Sequence, residues 1–267
     1  MGFMENWKAL QKYSAQSAER FLTIYLNTEP TANTQPEWKI RLKNGFKKLA
    51  EYTQAGEEPR YLDMLMELQA KVEEKVENSR TEMKKGLIIV ADSSGGLFFC
   101  EKIQTGVPNA FYFESEPHLE ELQALMSRCP AAGIVQLSND TVTVLDSLLC
   151  EINAEYYYEW DMINDEFRER PSTSTSDLKS ASNKQRENYS EPWEVIRPRW
   201  IKRLTPIIER MAREHQWEEI ILSGEKQIAS QVKEALNSKI SVHIVPKNLS
   251  NMPSHNVLQE AYAVLHS

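Results

Sequence analysis

The order of apolar runs after Gly133 constrains the fold most. GIVQLS (133–138), TVTVLDSLL (141–149) and EINAEYYYEW (151–160) are three strand-like runs, with a turn at Asn139-Asp140 between the first two. They are rich in β-branched and aromatic residues, as half-buried or fully buried strands are. A long break follows. Helical patterning then runs from about Glu194 to His215, with Ile201, Leu204, Ile208 and Met211 on one stripe. Pro206 is expected to kink or restart this helix, with Thr205 as its cap. EIILSG is a buried-type strand, EKQIASQVKEAL a helix, SVHIVP a strand and PSHNVLQEAYAVL a final helix. The order βββ–loop–αβαβα predicts a mixed sheet with helical cover, compatible with a ribonuclease H-like fold.

The first half reads as α+β. Residues 3–19 have the pattern of a short amphipathic helix, and FLTIYL that of a strand ended by NTEPTANTQP. From Glu37, and again from Pro59, apolar residues recur at helical spacing, which predicts an antiparallel helical hairpin. GLIIVAD and LFFCEKI predict two strands joined at Ser93-Ser94-Gly95-Gly96, with FYFES as a third. Pro117 is expected to open a helix through Leu119, Leu122 and Leu125, with a junction at Cys129-Pro130. Two domains are therefore expected. Residues 1–129 form an α+β domain with a helical hairpin, and 130–267 an α/β domain with a long loop at 166–192.

The chain is 41% hydrophobic and 26% charged, a balance that supports a globular core. No apolar run approaches the roughly 18 residues of a membrane span. The amino terminus lacks the basic-then-apolar pattern of a secretory signal, so a cytoplasmic location is expected. Cys100, Cys129 and Cys150 match no metal spacing and are expected to be buried, reduced thiols. The net charge of −8 argues against a general nucleic-acid coat protein. It leaves a local RNA contact open.

The break between the third strand and the long helix points to such a contact. From Glu166 to Arg203 there are nine Lys/Arg against six Asp/Glu, on an otherwise acidic chain. Ser and Thr crowd residues 172–182, and no apolar period runs through the first part. A long polar loop inside a compact domain is a functional element or a linker. A locally positive one suits an anion.

Other chemistry is weakly signalled. The turn after Asp92 is followed by no Lys-Ser/Thr pair, so it is no phosphate-binding loop. Ser223-Gly224 opens a helix, and one glycine there reads as an ordinary turn. A metal nuclease on this fold needs clustered carboxylates, yet GIVQLS has none, and Asp140, Asp146, Asp161 and Asp165 are dispersed. The five histidines do not cluster; His215 ends a helix, where a cation offsets the dipole. Tyr156-Tyr157-Tyr158 offers rings for base stacking, though strand alternation buries at least one.

Three stretches carry a resemblance: Gly133-Ile-Val-Gln-Leu-Ser with Thr141-Val-Thr-Val-Leu, then Ser180-Ala-Ser-Asn-Lys-Gln-Arg-Glu-Asn-Tyr189, then Glu219-Ile-Ile-Leu-Ser-Gly224. They resemble the middle domain of archaeal and eukaryotic class-1 peptide chain release factors, and are most similar to its bacterial homologues, which include relatives of quality-control release factors. FLTIYLNTEP, WKIRLKNGFKKL and GLIIVAD extend the similarity into the first half. The resemblance implies a ribonuclease H-like carboxyl half and a loop that enters the peptidyl-transferase centre of the large ribosomal subunit. In that family a Gly-Gly-Gln loop places water against the ester joining peptide to tRNA. By position the glutamine is Gln185, and Asn183 and Lys184 stand at the two glycine places.

An amide side chain offers an acceptor and donors without a titrating base, which suits positioning water. Arg168, Arg170, Lys179, Lys184 and Arg186 on the loop, and Arg197, Arg199, Lys202 and Arg203 beyond it, are candidates to neutralise RNA phosphates. The implied partners are the ribosome and peptidyl-tRNA, in rescue or quality control of stalled translation. No cofactor, metal or membrane is called for. Ester hydrolysis, binding without catalysis, and cleavage of the tRNA 3′ end remain open as activities.

Overall fold

The computed structural model describes residues 3–13, 20–30, 36–56, 59–171, 192–237, 239–249 and 252–265. The chain divides into two compact units, Met1–Ala124 and Leu125–Ser267.

The first unit is built on an antiparallel sheet of order β3-β2-β1-β4, from β1 (Phe21–Asn27), β2 (Gly86–Asp92), β3 (Phe98–Ile103) and β4 (Ala110–Glu114). Helices α1 (Phe3–Lys12), α2 (Glu37–Gly56) and α3 (Pro59–Asn78) accompany it. Strand alternation explains the packing. Leu22, Ile24 and Leu26 of β1 face Leu42, Phe46 and Leu49 of α2 and Leu65, Leu68 and Val72 of α3. Thr23 and Tyr25 take the opposite face, and both are fully buried. The helical pair and the hairpin at Ser93–Gly96 are as expected. The helix α4 (Glu120–Arg128) starts three residues after Pro117 rather than at it.

The second unit holds a sheet of order β10-β9-β5-β6-β7-β8. Its strands are β5 (Ala132–Leu137), β6 (Thr141–Leu148), β7 (Glu151–Asp161), β8 (Glu166–Arg170), β9 (Glu219–Ser223) and β10 (Ser241–Val245). β5 to β8 form an antiparallel meander, while β9 and β10 run parallel to β5. The first three strands of the meander with β9 and β10 have the ribonuclease H-like order. β8 corrects the sequence reading, which began the loop at Glu166. EFRER has a single apolar residue, so its alternation was invisible without its partner strand.

Both faces of the central strands are covered. Val135, Leu137, Ile220 and Leu222 pack under α5 (Trp193–Glu214) and α6 (Lys226–Ala235). Ile134, Leu145 and Ile221 pack under α7 (Ser254–Leu265). Gly133 lies against the Trp217 ring, where a Cβ has no room. α5 is continuous through Pro198 and Pro206. Thr205 is not a cap: its hydroxyl donates to the Ile201 carbonyl at 3.2 Å. Pro206 is absorbed where Trp200, Leu204 and Ile208 anchor the helix to the sheet.

The reduced-thiol expectation fails for two cysteines. Cys129, just after α4, is disulfide-bonded to Cys150, with Cα atoms 5.2 Å apart. Cys150 sits in the two-residue turn between β6 and β7, where Leu149 and Cys150 have φ of 53° and 60°. Two positive φ values in succession mark the mirror-image turn that suits the twist of a hairpin. The Leu149 amide also donates to the Cys129 carbonyl at 3.1 Å. Cys100 is a free thiol, pushed up by burial. Among the described residues no helix is long and apolar enough to cross a membrane.

Candidate nucleic-acid interface

Two stems flank residues 171–192, and an aromatic cluster holds both. Phe167 of β8 meets Trp160 of β7 and Trp200 of α5 edge-to-face, with ring centroids 5.0 and 5.5 Å apart. Trp193, at the start of α5, meets Trp200 at 5.8 Å. Trp160 and Trp200 are among the largest fully buried side chains of the chain. The indole nitrogens of Trp160, Trp193 and Trp200 are buried without a hydrogen-bond partner among the described residues. Gln185, Lys179, Lys184 and Arg186, with Asn183, lie outside the described residues.

The cations on the two stems separate onto opposite faces of the sheet. Phe167 and Trp160 are paired across the β7–β8 ladder and face α5, so Arg168 and Arg170 face the other way. There each reaches a diagonal carboxylate on β7. Arg168 Nη2 is 2.6 Å from Asp161 Oδ2, and Arg170 Nη2 is 2.7 Å from Glu159 Oε2. Both carboxylates belong to buried residues. Asp161 also accepts from the Asn164 side chain at 3.0 Å and from the Ile163 amide at 2.9 Å. These hydrogen bonds, Asn164 first, hold its carboxyl below the ordinary range.

On α5 the helical period sorts the rest. Trp200, Leu204, Ile208 and Met211 face the sheet. Arg199, Lys202 and Arg203 fall on the solvent face and are exposed. Arg199 Nε lies 3.3 Å from Asp165 Oδ2. Arg197 falls on the core-facing side and is half-buried, so it stands apart from that face. Arg210 and Arg213 continue the basic face and are exposed. The sequence reading missed this pair, although the same period that finds the apolar stripe finds them.

The remaining candidates have structural partners. Asp146 is buried, accepting from Trp217 Nε1 at 2.7 Å and lying 3.3 Å from His215 Nδ1. His215 Nε2 in turn lies 3.1 Å from the Tyr156 hydroxyl. His215 thus joins a half-buried network rather than only ending a helix. Tyr158 is in the core, and Tyr157 donates to Glu155 at 2.5 Å. His243 Nε2 lies 2.8 Å from Glu219. Asp161, Asp165 and Asp146 are thus held by an arginine, another arginine and an indole, and do not converge on one point.

Over 252 residues the chain is 29% identical to an uncharacterized protein of Bacillus subtilis (strain 168), YocB, covering 94% of each. Two solved structures, an archaeal protein and the archaeal translation termination factor aRF1, share 14% and 11% identity. Each covers 98% of this chain and 73% of its own, at a TM-score of 0.32. Residues 130–263 match the family model of bacterial archaeo-eukaryotic release factor family 5. That span includes the whole meander, both stems and α5 with its basic face, and on this match the chain belongs to bacterial archaeo-eukaryotic release factor family 5.

Proposed function

We propose that this chain is a cytoplasmic, ribosome-directed factor that hydrolyses the ester of peptidyl-tRNA in rescue or quality control of stalled translation. The observation that carries the reading is where Gln185 falls. It lies in the segment between β8 and α5, inside the span that matches a release-factor family. The Gln185 amide would orient water at the ester carbonyl, accepting from the water and donating to the developing oxyanion. The exposed cations of α5 would neutralise RNA phosphates beside it. Lys179, Lys184 and Arg186 would add charge within the segment.

A second reading is favoured by Asn183 and Lys184, which stand where the resemblance to class-1 release factors puts glycines. Side chains there narrow the conformations open to the segment. The chain would then bind the ribosome or tRNA without releasing the peptide. Incubation with stalled peptidyl-tRNA–ribosome complexes separates the two. Release of intact tRNA by the wild type, lost by roughly a hundredfold in Gln185→Ala with folding unchanged, is the expected result. Undiminished release by the variant removes Gln185 from the mechanism. Co-sedimentation without release establishes the binding-only reading, and shortened tRNA establishes a nuclease.

A further inference from the structure

A second site, in the first unit, is independent of the release reading. The turn before α4 and the first turn of that helix bring together His118, Glu120 and Glu121. His118 Nε2 lies 3.3 Å from Glu120 Oε2 and 3.4 Å from Glu121 Oε2. The three donor atoms all fall within 4.8 Å of one another. A cation held at about 2.0–2.2 Å by three donors in a tetrahedral arrangement sets them about 3.3–3.6 Å apart. Both measured separations from the imidazole fit.

The surroundings hold these donors from outside the cluster. The Tyr112 hydroxyl donates to Glu121 Oε1 at 2.8 Å, leaving Oε2 turned to the imidazole. The Tyr112 ring stacks on His118 with centroids 3.8 Å apart, fixing the ring plane. Tyr25, fully buried on β1, donates to the His118 carbonyl at 2.9 Å and accepts from the Leu122 amide at 3.3 Å. The Thr23 hydroxyl accepts from the His118 amide at 3.1 Å. His118 and Leu122 are thus both pinned to buried side chains of β1. Support of this kind orients metal ligands.

One atom points to a ligand directly. Glu121 Oε2 is closed to solvent and, beyond the His118 imidazole at 3.4 Å, accepts no hydrogen bond among the described residues. A buried carboxylate oxygen without a donor is costly, and a cation would satisfy it. The helix dipole opposes a cation here, but it amounts to about half a charge, against two carboxylates.

We propose that His118 Nε2, Glu120 Oε2 and Glu121 Oε2 form an open three-donor site for a divalent first-row cation, with zinc the fit by donor type and spacing. Three protein donors leave a position for water or a donor from a partner.

The test uses the full chain, stripped with chelator and titrated with zinc, with cobalt absorption as a second readout of coordination. One zinc per chain is expected. His118→Gln and Glu121→Gln each weaken it more than tenfold, and Tyr112→Phe weakens it about tenfold through orientation alone. Glu219→Gln, which breaks the His243 pair elsewhere in the chain, leaves it unchanged. Glu120→Gln, at an exposed position, gives the same loss without a folding penalty. Thermal melts confirm that each variant is folded. Failure of the wild type to bind zinc overturns the proposal, as does binding equal to that of His118→Gln.

Discussion

The arginines of β8 and the cations of α5 sit close together in sequence and differ in what they can do. Arg168 and Arg170 lean on buried carboxylates across the β7–β8 ladder. Lys202, Arg203 and Arg213 stand on the exposed face of a helix, where Arg210 Nε lies 4.0 Å from Glu214. The sheet lies between the two groups, because Phe167 turns toward α5 and its neighbours turn away. Equal charge in the sequence thus becomes structural charge on one stem and available charge on the other. A cation already neutralised by a desolvated partner has little to offer a phosphate. One held out to water loses little by meeting one.

The contrast can be broken by experiment. The largest expected effect is on binding. Lys202→Glu with Arg203→Glu should weaken ribosome or tRNA association by on the order of tenfold or more, and lower the salt slope by about one for each phosphate no longer neutralised. Arg168→Ala with Arg170→Ala should leave that slope unchanged. Co-sedimentation across a salt series measures both, and a reversed ranking would overturn the division of roles.

Next comes stability. Arg170→Ala should cost about 1–2 kcal/mol in urea unfolding, since it strands the buried Glu159 carboxylate. The Arg170 side chain is 44% exposed, which keeps the cost below that of a fully buried pair. Adding Glu159→Gln should restore part of the loss.

The smallest effect is pH-dependent. The Asp161 carboxyl is held below its ordinary value of 3.8 in the folded chain. Its contribution is therefore fully present above that value and is lost as pH falls through the depressed one. Wild type should exceed Asp161→Asn in stability by a constant margin from about pH 7 to pH 5, and the margin should close in stronger acid. A margin that widens on acidification would contradict the assignment.

What the sequence showed and what it hid follow from the same physics. β5, β6 and β9 are buried on both faces or alternate cleanly, so their apolar runs announce them. β8 offers only Phe167, and a charged edge strand looks like loop until its partner is known. The basic face of α5 was half legible. Lys202 and Arg203 stand out as charges beside an apolar stripe, and only the helical period, applied residue by residue, turns Arg197 toward the core. His118, Glu120 and Glu121 are neighbours in sequence, but the support of their turn by Tyr25 and Thr23 comes from far away and is brought close by strand pairing. The Cys129–Cys150 pair was hidden for the same reason: proximity came from the β6–β7 turn, not from spacing.

The aromatic cluster at the foot of the two stems gives the protein a built-in optical reporter. Trp160 and Trp200 are shielded from water and Trp193 is half-buried, with ring neighbours within 5.8 Å. Indoles in such surroundings emit at short wavelength, and movement of either stem changes their exposure and mutual quenching. Engagement of the segment between the stems by a ribosome could therefore be followed in real time through the protein's own fluorescence. Trp193→Phe would identify which stem moves.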